Sequence, residues 1–104
     1  MLYLYRRQIF DQLYKFFSQH SDQIDQAVFF GSTVSGTHRP DSDIDLFVVA
    51  NSRIKPMIEK ELDKIYIETT IPVAMLFYTP TSFKNSENDP IIEIILKEGL
   101  RIVW

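Results

Sequence analysis

The chain has 104 residues and a net charge of −3, and we expect residues 1–104 to form one domain. The absence of a basic run argues against non-specific nucleic-acid binding, and the absence of cysteine excludes disulfides, thiolate zinc sites and thiol nucleophiles. No signal peptide is recognisable and no apolar run approaches the ~20 residues of a membrane span. We therefore expect a cytoplasmic protein that does not contact the membrane.

Hydrophobic periodicity predicts the elements of the first half of the chain. Residues 4–19 repeat apolar side chains at helical spacing, which predicts an amphipathic helix. The polar stretch 18–26 is expected to connect this helix to a short buried strand at 27–30. A second strand, 42–50, runs from polar residues into a wholly apolar segment.

The second half of the chain continues this alternation of helices and strands. We predict a helix over about 54–67, then a strand over 71–79 that is apolar enough to be central in a sheet. Residues 79–88 are expected to form a loop with one helical turn. Asp89-Pro90 and Gly99 mark the start and end of another helix, and residues 100–104 form a last strand. This order predicts an α/β (α+β) fold, with helices packed on a sheet of about four strands.

Two aspartates lie at the start of the second predicted strand. Asp43 and Asp45 are two residues apart, so they project from the same face, while Ile44 and Leu46 point into the core. Their like charges repel each other, and a hard divalent cation such as Mg²⁺ would offset this repulsion. The pair therefore predicts a metal site in which Asp43 and Asp45 are ligands.

A glycine and a serine precede this pair at the end of the first strand. Gly31 allows the backbone to approach a ligand closely, and the Ser32 hydroxyl and the free N–H groups of a short following helix favour a phosphate. A phosphate cradle beside a metal-binding strand suits a nucleoside triphosphate bridged by Mg²⁺.

Other interpretations of the segment fit less well. Asp41, Asp43 and Asp45 match positions 1, 3 and 5 of an EF-hand loop, but Leu46 replaces the required glycine and Ser52 the final glutamate. No Gly-Lys-Ser/Thr follows the glycines, which excludes a P-loop. Sugar-nucleotide glycosyltransferases also use a metal-binding DxD, in much larger domains. A turn or helix cap without function is the remaining alternative.

The pattern Gly31-Ser32, Gly36 and Ser42-Asp43-Ile44-Asp45-Leu46 resembles the polymerase-beta-like nucleotidyltransferase superfamily, in its minimal nucleotidyltransferase (MNT) branch. The resemblance implies a mixed sheet flanked by helices. It also implies two Mg²⁺ ions held by Asp43 and Asp45, and a triphosphate, with ATP as the first candidate. Gly31, Ser32, Gly36 and Ser42 would form the phosphate-binding segment. The implied reaction transfers a nucleoside monophosphate to a hydroxyl group.

The resemblance also bears on partners. Many MNT-type proteins are antitoxins paired with an all-helical HEPN partner, and some adenylylate a tyrosine of that partner. A HEPN-type partner and self-association into a homo-oligomer are therefore both candidates for this chain.

One position departs from the family pattern. The superfamily carries a third carboxylate on the third strand, and Ala74 stands at that position here. The two-ion site is then incomplete, which leaves two hypotheses. The chain is either an active, slower nucleotidyltransferase, or a catalytically degenerate binding module that acts by contacting a partner.

Overall fold

The computed structural model describes residues 2–31 and 43–103, with side chains described for 6–31 and 43–102. A four-stranded sheet with the strand order β3-β2-β1-β4 forms its centre. β1 is antiparallel to both β2 and β4, whereas β2 and β3 are parallel, so the sheet is mixed as expected. The helices and strands, in chain order, are α1 (Leu2–Gln19), β1 (Ile24–Phe30), β2 (Ile44–Ala50), α2 (Lys55–Thr69), β3 (Val73–Tyr78), α3 (Pro80–Asn85), α4 (Pro90–Glu98) and β4 (Leu100–Val103).

Three sequence-based expectations about these elements are corrected. β3 lies at the edge of the sheet and not at its centre, since it pairs with β2 alone among the described strands. The connection predicted over 18–26 is shorter, because a 3₁₀ turn at Ser21–Gln23 leads directly into β1. The loop predicted over 79–88 contains α3, whose first turn is closed by reciprocal hydrogen bonds between Thr79 and Ser82. The short helix predicted after Gly31 lies outside the described residues.

Both faces of the sheet are covered, which explains why β2 is almost continuously apolar. On one face, α1 and α2 pack on β2 residues Ile44, Leu46 and Val48. On the other face, the α4 residues Ile92 and Ile95 lie with the partly buried Phe83 of α3 over the buried side chains of β1 and β2. The expectation that Ile44 and Leu46 enter the core is confirmed, and a second core lies on the face from which Asp45 projects.

The ends of α4 fix its position against the sheet. Asp89 begins the helix, because its side chain accepts a hydrogen bond of 2.9 Å from the Ile91 N–H, and Pro90 follows at the first turn. Gly99 ends it where the chain presses against β1. A Cβ at Gly99 would lie 2.3 Å from Val28 Cγ1 and 2.8 Å from the Phe29 carbonyl oxygen, so only glycine allows this approach.

Among the described helices, none combines the length and the apolar character that crossing a bilayer would require.

Candidate active site

The candidate site lies where β1 ends and β2 begins. The antiparallel register pairs Phe30 with Asp45, so the last residue of β1 lies directly beside the second aspartate. Gly31 follows Phe30 and leaves the sheet at this point. The fold therefore brings together the glycine and the aspartates that the sequence places in one motif.

Gly31 is held in a conformation that side chains disfavour, and it lies against the Asp45 carboxylate. Its φ is +65°, in the left-handed region. A Cβ added to it would lie 2.6 Å from Asp45 Oδ2, which is closer than non-bonded atoms approach. Glycine is thus required twice, once for the backbone angle and once for the space that the carboxylate fills.

The two aspartates are close enough to interact electrostatically. Asp43 is exposed and Asp45 is half-buried. Partial burial, and secondly the negative charge of Asp43, raise the pKa of Asp45 above its ordinary value of 3.8. The negative charge of Asp43 therefore acts on Asp45 and adds to the effect of partial burial.

The third strand brings Ala74 beside the aspartates. The parallel register pairs Ala74 with Asp45, so their side chains project from the same face on strands roughly 4.8 Å apart. Ala74 is exposed. Within residues 2–31 and 43–103, no three His, Cys, Asp or Glu side chains come together as a metal site. Ala74, which stands where the family resemblance predicts a third carboxylate, is thus the direct neighbour of Asp45.

The remaining site residues named from the sequence, Ser32, Gly36 and Ser42, lie outside the described residues. Their assignment to phosphate binding stays a prediction.

Sequence reasoning missed a cleft that opens beside Gly31. The cleft has a volume of about 510 Å³. Most of its wall comes from α4 and the end of β1, and its lining residues are Phe30, Gly31, Ile91, Ile94, Ile95, Glu98 and Gly99. The apolar periodicity of α4 predicts one buried stripe, but Ile91 and Ile94 lie off that stripe and are exposed. These two exposed isoleucines are the signal that could have located the cleft.

The donor set at the strand ends fits a hard cation. Two carboxylates are oxygen ligands, which Mg²⁺ prefers, and a cation would offset both the partial burial and the repulsion from Asp43 that raise the pKa of Asp45. Further ligands would come from the phosphates of a substrate and from water, because Mg²⁺ usually keeps several waters.

Comparison with known proteins agrees with this geometry. The family model of the nucleotidyltransferase domain matches residues 10–102. The chain belongs to this family. A nucleotidyltransferase domain supports nucleotidyl transfer from a nucleoside triphosphate as the general activity, and domains of this kind generally use Mg²⁺.

A solved structure supports the same fold. The chain is similar to a protein from Sulfolobus solfataricus whose crystal structure is assigned as a nucleotidyltransferase, with a TM-score of 0.51 and 14% sequence identity. The alignment covers 96% of this chain and 84% of that one. At this identity the likeness concerns the fold alone. No curated protein matches the nucleotidyltransferase chain significantly.

Asp45→Asn should change how stability depends on pH. Because folding raises the pKa of Asp45, the folded state holds the proton more tightly than the unfolded chain. This contribution to stability is present below pH 3.8 and is lost as the pH rises through the folded-state pKa. We expect the stability of Asp45→Asn, relative to the wild type, to increase over that interval in metal-free urea titrations. Asp63→Asn, on the exposed face of α2, controls for loss of one surface charge. If the unfolding free energies of the wild type and Asp45→Asn changed in parallel with pH, this account would be wrong.

Substitution of Gly31 should separate backbone strain from the contact with Asp45. Gly31→Ala should cost about 1–2 kcal/mol of unfolding free energy, since alanine is disfavoured at positive φ. Gly31→Asn should recover part of that loss, because asparagine tolerates the left-handed region. Both variants place a Cβ against Asp45, so both should impair Mg²⁺-dependent nucleotide binding. Wild-type binding in Gly31→Asn would show that the contact is unimportant.

Proposed function

We propose that this protein binds a Mg²⁺-bound nucleoside triphosphate at Gly31, Asp43 and Asp45, and transfers the nucleoside monophosphate to a hydroxyl group. The observation that carries the proposal is the register of β1 and β2, which places Gly31 against the carboxylate of Asp45. Ser32, Gly36 and Ser42 complete the phosphate-binding segment in this proposal. ATP, which the family resemblance favours, is the first triphosphate to test.

The proposed reaction is a substitution at the α-phosphorus. The acceptor oxygen forms a bond to this phosphorus, the bond to the bridging oxygen of the β-phosphate breaks, and pyrophosphate leaves with the bonding electrons. The acceptor proton passes to solvent. Asp43 and Asp45 would hold Mg²⁺, which when bound would neutralise charge on the phosphates. Gly31 lets the phosphates approach the backbone.

Ala74 supports a second candidate function. A carboxylate at this position would lie beside Asp45 and could orient or deprotonate the acceptor hydroxyl, and alanine can do neither. The second candidate is therefore a nucleotidyltransferase-like module that binds nucleotide without efficient transfer and acts through protein contact.

The proposed acceptor or partner is a HEPN-type protein, with the chain as its antitoxin. Exposed apolar side chains on α1 and α2 support a protein contact of this kind. Tyr14, Met57, Tyr66 and Ile67 are each at least 46% exposed, although they lie on helices whose other faces are fully buried. Alternatively, the same side chains mediate self-association. Sedimentation of the isolated protein distinguishes the alternatives, because self-association gives an oligomer without a partner.

Calorimetric titration tests the nucleotide site directly. Each of the four nucleoside triphosphates is titrated with and without Mg²⁺ into the wild type and into the double variant Asp43→Ala/Asp45→Ala. We expect Mg²⁺-dependent binding in the wild type and at least a tenfold loss in the double variant, because the paired carboxylates hold the metal.

A matched double variant controls for the change in net charge. Asp22→Ala/Asp25→Ala removes two exposed aspartates at the opposite end of β1 and should bind like the wild type. Equal binding by wild type and Asp43→Ala/Asp45→Ala would refute the proposed site.

Ala74→Asp should raise the transfer rate if the missing carboxylate limits catalysis. A general base contributes about 10²–10⁴-fold in enzymes, and we expect a gain of about 10²-fold in nucleotide transfer to the acceptor. Leu76→Asp is the matched control, because Leu76 is exposed on the same face of β3 one pleat further along. If both variants transfer nucleotide as slowly as the wild type, the result supports the second candidate function, a binding module that acts through protein contact.

A further inference from the structure

The outer edge of β3 presents a row of backbone hydrogen-bonding groups. β3 is an edge strand, and β2 is the only described strand that pairs with it. The Ile44 N–H donates to the Pro72 carbonyl over 3.0 Å, while Ile44 itself pairs with Val73 in the parallel register. Successive residues of a strand direct their backbone groups to opposite edges, so the groups that point away from β2 are those of Val73, Met75 and Phe77.

β3 lacks the features by which edge strands usually avoid pairing with other chains. Its sequence, VAMLFY, contains no charged residue and no proline, and its register with β2 runs without a bulge. Ala74 and Leu76 are exposed on one face, and the side chains on the other face are apolar and only partly buried. A strand of this composition is expected to pair with a further strand along its outer edge.

This outer edge is complementary to itself. A two-fold axis perpendicular to the sheet at Met75 would place Met75 opposite its own copy and Val73 opposite Phe77 of the second copy. All three residues would then form hydrogen-bonded pairs, with about six bonds between the two strands. On the other face, Ala74 would lie opposite Leu76 of the second copy with about 4.5 Å between their Cα atoms, so a small side chain meets a larger one.

Charged side chains of α2 flank the same edge. A groove of about 370 Å³ lies between α2 and β3, with the exposed Lys55 and Asp63 among its lining residues. Lys55 lies near the end of β3, since its Nζ is 5.4 Å from the centre of the Phe77 ring. Asp63 lies further along the helix, roughly 12 Å away, towards the start of β3.

These positions make α2 complementary to its own copy as well. The two-fold axis reverses one α2 relative to the other, so Lys55 of each copy would face Asp63 of the other across the groove. Glu59 lies between them on the groove wall and would face its own copy, which offsets part of this attraction.

We propose that β3 pairs antiparallel with β3 of a second copy, which joins the two four-stranded sheets into one. A second copy is the occupant because this chain supplies both parts that the edge requires: an apolar strand with an outward-facing edge, and opposite charges that meet across the two-fold axis. The pairing also brings Leu76 of the second copy beside Ala74, the neighbour of Asp45. Each copy therefore places a side chain next to the candidate site of the other.

Sedimentation equilibrium of strand and surface variants tests the proposal. The wild type should sediment as a dimer of the 12.2 kDa chain. Leu76→Lys places a charge between the paired strands, and we expect its dissociation constant to rise by about tenfold. Tyr14→Lys adds the same charge at an exposed aromatic residue of α1 and should remain a dimer. Circular dichroism checks that both variants are folded.

Charge reversal tests the two-fold geometry without altering β3. Lys55→Glu faces Asp63 of the second copy, and Asp63→Lys faces Lys55, so each single variant should dimerise about fivefold more weakly. The two substitutions change the net charge in opposite directions, so net charge alone does not explain a loss in both. An equal mixture of the two variants restores both ion pairs in a mixed dimer, and it should associate as tightly as the wild type.

The contrary outcomes are equally distinct. A wild type that stays monomeric at about 1 mM, where only very weak complexes dissociate, would overturn the proposal. Oligomers that grow beyond the dimer would also overturn it, because two-fold pairing is closed. A dimer that is lost in Tyr14→Lys and kept in Leu76→Lys would place the interface on α1. Failure of the mixture to associate better than either single variant would show that Lys55 and Asp63 do not meet.

Discussion

The antiparallel pairing of β1 with β2 is the constraint on which the candidate site depends. It places Phe30 opposite Asp45, so that the chain leaves the sheet at Gly31 in contact with the carboxylate. A slip of one residue would turn Asp45 into the core and Leu46 towards the site. The core side chains of β2 prevent that slip, because both faces of this strand are buried beyond the aspartates.

The same pairing holds Asp45 where its ionised form is disfavoured. Asp45 is partly buried next to a second carboxylate, and both effects favour its protonated form. The two cores stabilise the fold in spite of this, and the disfavoured charge lies at the end of β2 where we propose that a metal-bound nucleotide binds.

In this nucleotidyltransferase domain, β3 adds a strand to the sheet and also places exposed side chains beside the candidate site. The strand is at the edge of the sheet, parallel to β2, and its exposed residues Ala74 and Leu76 share the face of Asp45. Either a small apolar or an acidic side chain can occupy such a position without disturbing the core. The packed strands therefore fix the fold, while the exposed position of Ala74, to which we assign an effect on the proposed transfer, is not constrained by that packing.

The sequence by itself determined the elements and the composition of the motif. Alternation along the predicted second strand was enough to predict that Asp43 and Asp45 affect each other, and the apolar stripe of α4 was enough to predict that helix. The edge position of β3 was not predictable, because an apolar run of this length is compatible with an edge strand as well as with a central one. Only the tertiary structure showed that Ala74 is the neighbour of Asp45, and that α4 and Gly31 enclose a cleft. Strand register and the space between packed elements depend on contacts between residues far apart in the chain, which local periodicity does not record.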